Sequence, residues 1–277
     1  MRIQPRPDGL PLVMGIVNVT PDSFSDGGKF LAADAARDHA LRLLDAGADW
    51  LDIGGESTRP GAEPVGEAEE IRRVVPVIEA VIAARPEAKL SIDTMKPAVA
   101  RAAVNAGATL WNDVNALQAE GALEVAAELQ CAVCLMHMQG EPRTMQAAPS
   151  YENVVTEVAA FLGRRAGAAM ARGVAREAIW LDPGIGFGKT VEHNLALMAA
   201  IEDYAGLGFP ILFGASRKRF IAALDEGADA GAGRLGGSIA AALHAARAGA
   251  GMVRVHDVRE TVQALKVQAA IDRFSGR

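Results

Sequence analysis

Met252-Val-Arg-Val-His-Asp-Val-Arg-Glu260 changes character half-way along. Met252–Val255 is a short apolar run with the character of a buried strand. Asp257 and Glu260, three residues apart, match a capping box, so a helix is expected to start there. His256 is thereby fixed at a strand end, just before the helix. Seven similar runs precede this one: Leu12–Val17, Trp50–Ile53, Leu90–Ile92, Leu110–Trp111, Ala132–Met136, Ile179–Leu181 and Ile211–Phe213. All are short and apolar, as strands covered on both faces should be. Between them lie helical patterns. Ile71, Val74, Val75, Ile78, Val81 and Ile82 mark one apolar face, and Val154, Val158, Phe161 and Leu162 another. Pro76 is expected to kink the first of these or mark its boundary.

Strands alternating with helices imply right-handed parallel crossovers. Eight such units without a visible linker imply an α/β fold closed as a single (β/α)8 TIM barrel. An open doubly wound sheet is the structural alternative. The length of 277 residues suits one barrel, which commonly takes about 250 residues. Residues 1–277 are read as one domain, with 1–11 as an N-terminal extension. Asp225–Gly233, rich in Gly, Ala and Asp, reads as a flexible loop inside the seventh unit.

The net charge of -6 disfavours general binding to nucleic acid or to an acidic membrane. No apolar stretch reaches the ~18 residues of a membrane span, and Met1–Pro11 lacks the apolar core of a leader peptide. A cytoplasmic protein is expected. The two cysteines, Cys131 and Cys134, have redox-motif spacing but fall in a strand-like run. Positions three apart on a strand face opposite sides, so they read as inert core thiols.

In a barrel of this type, functional groups gather where the strands end. Those ends offer Asn18, then Asp52 with Glu56-Ser-Thr-Arg59, then Asp93, Asn112 and His137, then Asp182, Ser216-Arg-Lys218, Arg254 and His256. Some could simply cap the following helices, but so many polar ends on one rim point to a ligand site. Lys218, Arg254, Arg59 and His256 can hold a multiply charged anion. Asp93, Asn112 and Asp182 can pair with a flat, nitrogen-rich heterocycle, a carboxylate meeting an amino-pyrimidinone edge through two parallel hydrogen bonds. The residues alone therefore describe a barrel that binds a polar heterocycle carrying phosphate. They leave its reaction open.

Two motifs mislead. Pro183-Gly-Ile-Gly-Phe-Gly-Lys-Thr190 resembles a nucleotide phosphate loop, but proline replaces its first glycine. Its glycines are better read as a tight turn over the barrel that lets the backbone approach a ligand. Lys218 could be a Schiff-base lysine, but it lies several residues past its strand, so a charge-holding role fits better. No cluster of metal ligands stands out.

Met14-Gly-Ile-Val-Asn-Val-Thr-Pro-Asp-Ser-Phe-Ser-Asp-Gly-Gly28 and Leu51-Asp-Ile-Gly-Gly-Glu-Ser-Thr-Arg-Pro-Gly61 resemble the two signatures of the dihydropteroate synthase family. Ile92-Asp-Thr94, Asn112-Asp113, Leu135–Gly140, Asp182–Lys189, Gly214-Ala-Ser-Arg-Lys218 and Arg254-Val-His-Asp257 continue the resemblance in family order. Met95, where a small polar residue is common, is the one departure. The resemblance implies condensation of 6-hydroxymethyl-7,8-dihydropterin diphosphate with 4-aminobenzoate, yielding dihydropteroate and diphosphate. It also implies roles. Asp93, Asn112, Met136, Asp182, Phe187, Gly214 and Lys218 would bind the pterin. Asn18, Thr58, Arg254 and His256 would bind diphosphate, with Asn18 also a ligand to Mg2+. Phe24, Thr58, Arg59, Pro60, Phe187, Ser216 and Lys218 would surround the aminobenzoate, where sulfonamides act in this family. Asp93, Lys218, Arg254, His256 and Asp22 would be catalytic, and Thr20–Phe30 would close as a lid. The family also implies a homodimer. A methyltetrahydrofolate–corrinoid methyltransferase would share the barrel and pterin contacts without needing the Ser-Arg-Lys loop or the Arg-Val-His site. A non-catalytic pterin-binding paralogue should lose Asn18, Arg254 or His256, all of which are present.

Overall fold

The computed structural model describes residues 1–20, 29–57, 63–228 and 231–274. Strands β1 (Leu12–Asn18), β2 (Trp50–Gly54), β3 (Leu90–Asp93), β4 (Leu110–Asp113), β5 (Ala132–Met136), β6 (Ile179–Asp182), β7 (Leu212–Phe213) and β8 (Met252–Val255) are all parallel in one sheet. The hydrogen-bonded order is β6-β5-β4-β3-β2-β1-β8-β7. The seam between β6 and β7 is closed by a bridge between Leu181 and Ile211 and by the Leu181 N–H donating to the Pro210 carbonyl. The result is the (β/α)8 barrel expected from the sequence. Ile211 serves the seam, and the regular ladder of β7 with β8 is left to Leu212 and Phe213.

Ten helices pack outside among the described residues. They are α1 (Lys29–Asp45), α2 (Glu67–Ala84), α3 (Pro97–Asn105), α4 (Ala122–Leu129), α5 (Val154–Ala171), α6 (Val191–Ala199), α7 (Ile201–Ala205), α8 (Arg219–Leu224), α9 (Leu235–Arg247) and α10 (Val258–Phe274). Pro76 neither ends nor divides α2 in its helical assignment, and Val74, Val77, Ile78 and Val81 around it are buried. Helix α10 starts at Val258 as the Asp257 motif requires, but the Asp257 carboxylate is engaged by Arg217. In the Asp225–Gly233 stretch, Asp225 accepts from the Gly227 N–H, and Gly231–Arg234 winds as a 3-10 turn. That turn replaces part of the flexible loop expected there.

Strand parity sorts the core into two layers. Val13, Val17, Leu51, Ile53, Ile92, Trp111, Leu135 and Leu181 face the helices. Leu12, Met14, Trp50, Leu110, Ala132, Cys134, Trp180, Leu212 and Met252 fill the barrel interior. Ile3 joins this inner cluster, so the N-terminal segment is tied to the barrel rather than hanging from it. Cys131 belongs to the outer layer and Cys134 to the inner one, and both are buried free thiols. Burial pushes the Cys131 thiol up to about 11, which suppresses thiolate chemistry.

Candidate active site

The same parity that puts Trp50, Leu110 and Trp180 inside puts the next residues inward, two positions on, where the strands end. Register pairs Gly54 with Asp93, Asp93 with Asn112, Asn112 with Cys134 and Met136 with Asp182, while Arg254 lies beside Met14. Asp52, Asp93, Asn112, Asp182 and Arg254 thus form a polar layer over the apolar plug. Asn18 ends β1 in register with Gly54.

Arg254 ties this layer together. Its Nε donates to Asp52 Oδ2 at 2.5 Å and its Nη2 to Asp93 Oδ2 at 2.7 Å. Asn112 Nδ2 donates to the same Asp52 oxygen at 3.0 Å. Burial works to lower the Arg254 pKa, but Asp52 and Asp93 outweigh it and the guanidinium stays charged. Burial pushes Asp93 up from the usual carboxylate range, with Arg254 opposing. Asp182 is raised to about 6 by burial, against the Gly184 N–H that it accepts at 2.7 Å and the charges of Lys218, Arg254 and Lys189. At Gly214 a methyl group would lie 3.8 Å from Arg254 Cβ and 3.9 Å from Asp182 Oδ2, so glycine leaves space between those two groups.

The loop after β7 brings the next elements to the rim. Ser216 Oγ accepts from the His256 backbone N–H at 3.1 Å and lies 3.0 Å from His256 Nδ1. In the tautomer where the Ser216 hydroxyl donates to Nδ1, Nε2–H is the donor the imidazole keeps for an anion. Burial, then Arg254 and Arg217, push His256 down to about 3, so it is a neutral donor before an anion binds. Arg217 holds this loop in a left-handed conformation (φ 57°). Its backbone N–H donates to Ser238 Oγ on α9, and its guanidinium grips Asp257 at the start of α10. Beyond it, Lys218 Nζ sits 4.1 Å from the Phe187 ring centroid, a cation–π contact.

The structure therefore brings Asp93, Asn112, Met136, Asp182, Phe187, Gly214, Ser216, Lys218, Arg254 and His256 to one end of the barrel, with Asn18 at the end of β1. Asp22, Phe24, Thr58, Arg59, Pro60 and most of the proposed Thr20–Phe30 lid lie outside the described residues. His137 departs from its expected place on the rim. One residue past inward-facing Met136, it is buried 4.9 Å from the Phe161 ring of α5. Asp113, one position past Asn112, likewise serves the fold and accepts from the backbone N–H groups of Asn115 and Leu117.

Across the chain, a model of the pterin binding enzymes matches residues 14–256. The dihydropteroate synthase of Haemophilus influenzae is 49% identical over 262 residues, covering 94% of each chain. The chain belongs to the dihydropteroate synthase family. A solved Xanthomonas albilineans dihydropteroate synthase with 4-aminobenzoic acid has a TM-score of 0.89 at 51% identity, covering 95% of this chain and 93% of its own. Another from that organism, in complex with 7,8-dihydropteroate, has a TM-score of 0.87 at 48% identity, covering 96% and 95%.

Several supports of this dihydropteroate synthase site carry little signal in the sequence. Asp52 was visible as a strand end, and its parity with Trp50 could have marked it as the inward partner of Arg254. Lys96 Nζ lies 2.6 Å from both Glu56 and Glu70, and Glu56 also accepts from the Val65 N–H. This part-buried trio ties Glu56, and through it Val65, to α2, on either side of the undescribed positions 58–62. Glu70, fully buried in an otherwise acidic first helical turn, gave no sequence sign of its role. The phosphate-loop look-alike holds the third missed support, Lys189.

Proposed function

We propose that the chain condenses 6-hydroxymethyl-7,8-dihydropterin diphosphate with 4-aminobenzoate, giving 7,8-dihydropteroate and diphosphate for folate biosynthesis. The observation that carries this reading is the continuous layer of Asp52, Asp93, Asn112, Asp182 and Arg254 flanked by Lys218 and His256. Carboxylates able to pair with a pterin edge adjoin cations able to meet a diphosphate, in a chain whose relatives hold 4-aminobenzoic acid and 7,8-dihydropteroate.

In this reading Asp182 and Asn112 grip the amino-pyrimidinone edge, and Met136, Phe187 and Gly214 enclose the ring. The C–O bond between methylene and diphosphate breaks with its electron pair going to the leaving group. Arg254 and the Nε2–H of His256 meet that growing negative charge. Asp93 favours the cation left on the pterin methylene. The lone pair of the neutral arylamine then forms the C–N bond, and the nitrogen releases a proton to solvent or departing diphosphate. Ser216 and Lys218 orient the aminobenzoate, with Thr58, Arg59, Pro60 and Phe24 completing its site. Asp22 and the Thr20–Phe30 segment shut water out.

Magnesium fits the donor set modestly. Asn18 offers one hard oxygen, and no group of three or more His, Cys, Asp or Glu able to hold a metal occurs among the described residues. Such chemistry suits an ion held mostly by phosphate oxygens and water, which would supply charge neutralisation to the diphosphate. A homodimer is supported by Val267, Ile271 and Phe274, exposed at helical spacing along α10. No helix among the described residues is long and apolar enough to cross a membrane.

Mass detection of 7,8-dihydropteroate after incubation with both substrates and Mg2+ tests the reaction. Product is expected with the native chain. Pterin binding without product would favour a binding paralogue or a methyltransferase.

A further inference from the structure

Lys189 is only 3% exposed and takes no part in the mechanism above. Its Nζ lies 2.8 Å from the Phe187 carbonyl, 3.2 Å from the His137 carbonyl and 3.0 Å from His137 Nδ1. Three acceptors surround one ammonium, and two belong to the loop after β5 while the third belongs to the loop after β6. Those loops are pressed together. Gly184 and Gly188 have left-handed backbones (φ 71° and 61°), and a methyl group on either would strike the His137 or Gln139 carbonyl. The glycines thus serve loop-to-loop contact there, which revises the expectation that they all approach a ligand.

The carbonyls of the β6 loop are held one after another. Gly186 accepts from Gln146 at 2.7 Å, Phe187 from Lys189, and Gly188 from Tyr151 at 2.8 Å. Gln146 is exposed and Tyr151 part-buried, whereas Lys189 is enclosed. The Phe187 ring beyond this brace carries Lys218, whose stem also meets Gly186 closely enough that a methyl group there would lie 3.1 Å from Lys218 Cδ.

We infer that Lys189 is a positioning residue for pterin recognition, a buried clasp that joins the β5 and β6 loops and so sets the Phe187 wall against which Lys218 stands. The inference rests on the pterin reading of the site. Burial depresses the Lys189 pKa to about 7, with Asp182 opposing. The clasp survives that proton's loss, since a neutral amine still donates to two carbonyls and His137 Nδ1 can donate to it.

The test is calorimetric titration of pterin diphosphate with Mg2+ into the native protein, Lys189→Met, Lys189→Gln, Lys218→Ala and the pairs of each Lys189 variant with Lys218→Ala. Native binding comes first, because its failure would sink the pterin reading itself. Lys189→Met is then expected to weaken binding about tenfold, the effect of losing one to two net hydrogen bonds. Lys189→Gln, which keeps N–H donors for the carbonyls, should recover part of it. Combined with Lys218→Ala, the methionine should cost much less than tenfold, because both act through Phe187. A methionine variant that melts earlier but binds normally would overturn the inference, as would full additivity. If it fails to fold, Lys189→Gln decides: native affinity overturns the clasp, and a loss non-additive with Lys218→Ala upholds it.

Discussion

Replacing Arg254 by methionine keeps the bulk of its stem and removes the guanidinium from between Asp52 and Asp93. The native side chain is only 19% exposed, and its two ion pairs span 2.5 and 2.7 Å. Breaking a buried pair by deleting one partner costs about 3–5 kcal/mol, chiefly because the other charge is stranded. Here Asp52 keeps the Asn112 amide and Asp93 is already pushed up by burial, so the loss should fall near the lower end, about 3 kcal/mol at pH 8. The sign of the pH dependence follows. Without Arg254, Asp93 is raised further in the folded state but not in the unfolded one. The folded variant then gains its proton first on acidification, and the deficit shrinks by up to about 1.4 kcal/mol per pH unit between that raised value and the lower one Asp93 keeps beside Arg254, then levels off. Urea unfolding of the native protein, Arg254→Met and Arg254→Met/Asp52→Asn at pH 8, 7, 6 and 5 measures it. The double variant should recover at least about 1 kcal/mol at pH 8, because one stranded charge is gone. A deficit below about 0.5 kcal/mol at pH 8, the scale of an exposed pair, would refute the reasoning. So would a deficit that grows as the pH falls.

Two further predictions concern the same rim. Asp182 titrates near 6 in the free protein, facing Lys218 from the β7 loop, Arg254 from β8, Cys134 from β5 and Lys189 from its own loop. Pterin needs the carboxylate, so affinity should hold above pH 6 and fall about tenfold per unit below it, and Asp182→Asn should abolish that limb. Fluorescence titration of a dihydropterin across pH 5–8 reads it. Gly184→Ala should lower the melting temperature and weaken pterin binding together, since its methyl group would meet the His137 carbonyl in a left-handed backbone. Normal melting and affinity would show that the two loops are not in firm contact.

Much of this was legible in the sequence because barrel strands obey a strict period. The short apolar runs fell on the observed strands, and β8 matched at both ends. Their C-terminal ends then marked Asp93, Asn112, Asp182 and Arg254 as rim residues, and the strand register adds that they face inward. What escaped depends on contacts distant in sequence. Asp52 is 202 residues from Arg254, and Lys96 is 40 from Glu56 and 26 from Glu70. Such pairs leave no local period or cap to read. His137 was misplaced because a single step past Met136 reverses its face. The glycines around Lys189 looked like a ligand cradle because left-handed turns are needed equally where one loop presses on another.

Diphosphate release from the pterin diphosphate in the presence of Mg2+, followed with and without 4-aminobenzoate and repeated with Lys218→Ala, tests the central claim most directly. The account predicts release matched one-for-one by dihydropteroate when aminobenzoate is present, and badly impaired in the variant. Tight pterin binding with no coupled release, or full turnover by Lys218→Ala, would contradict it.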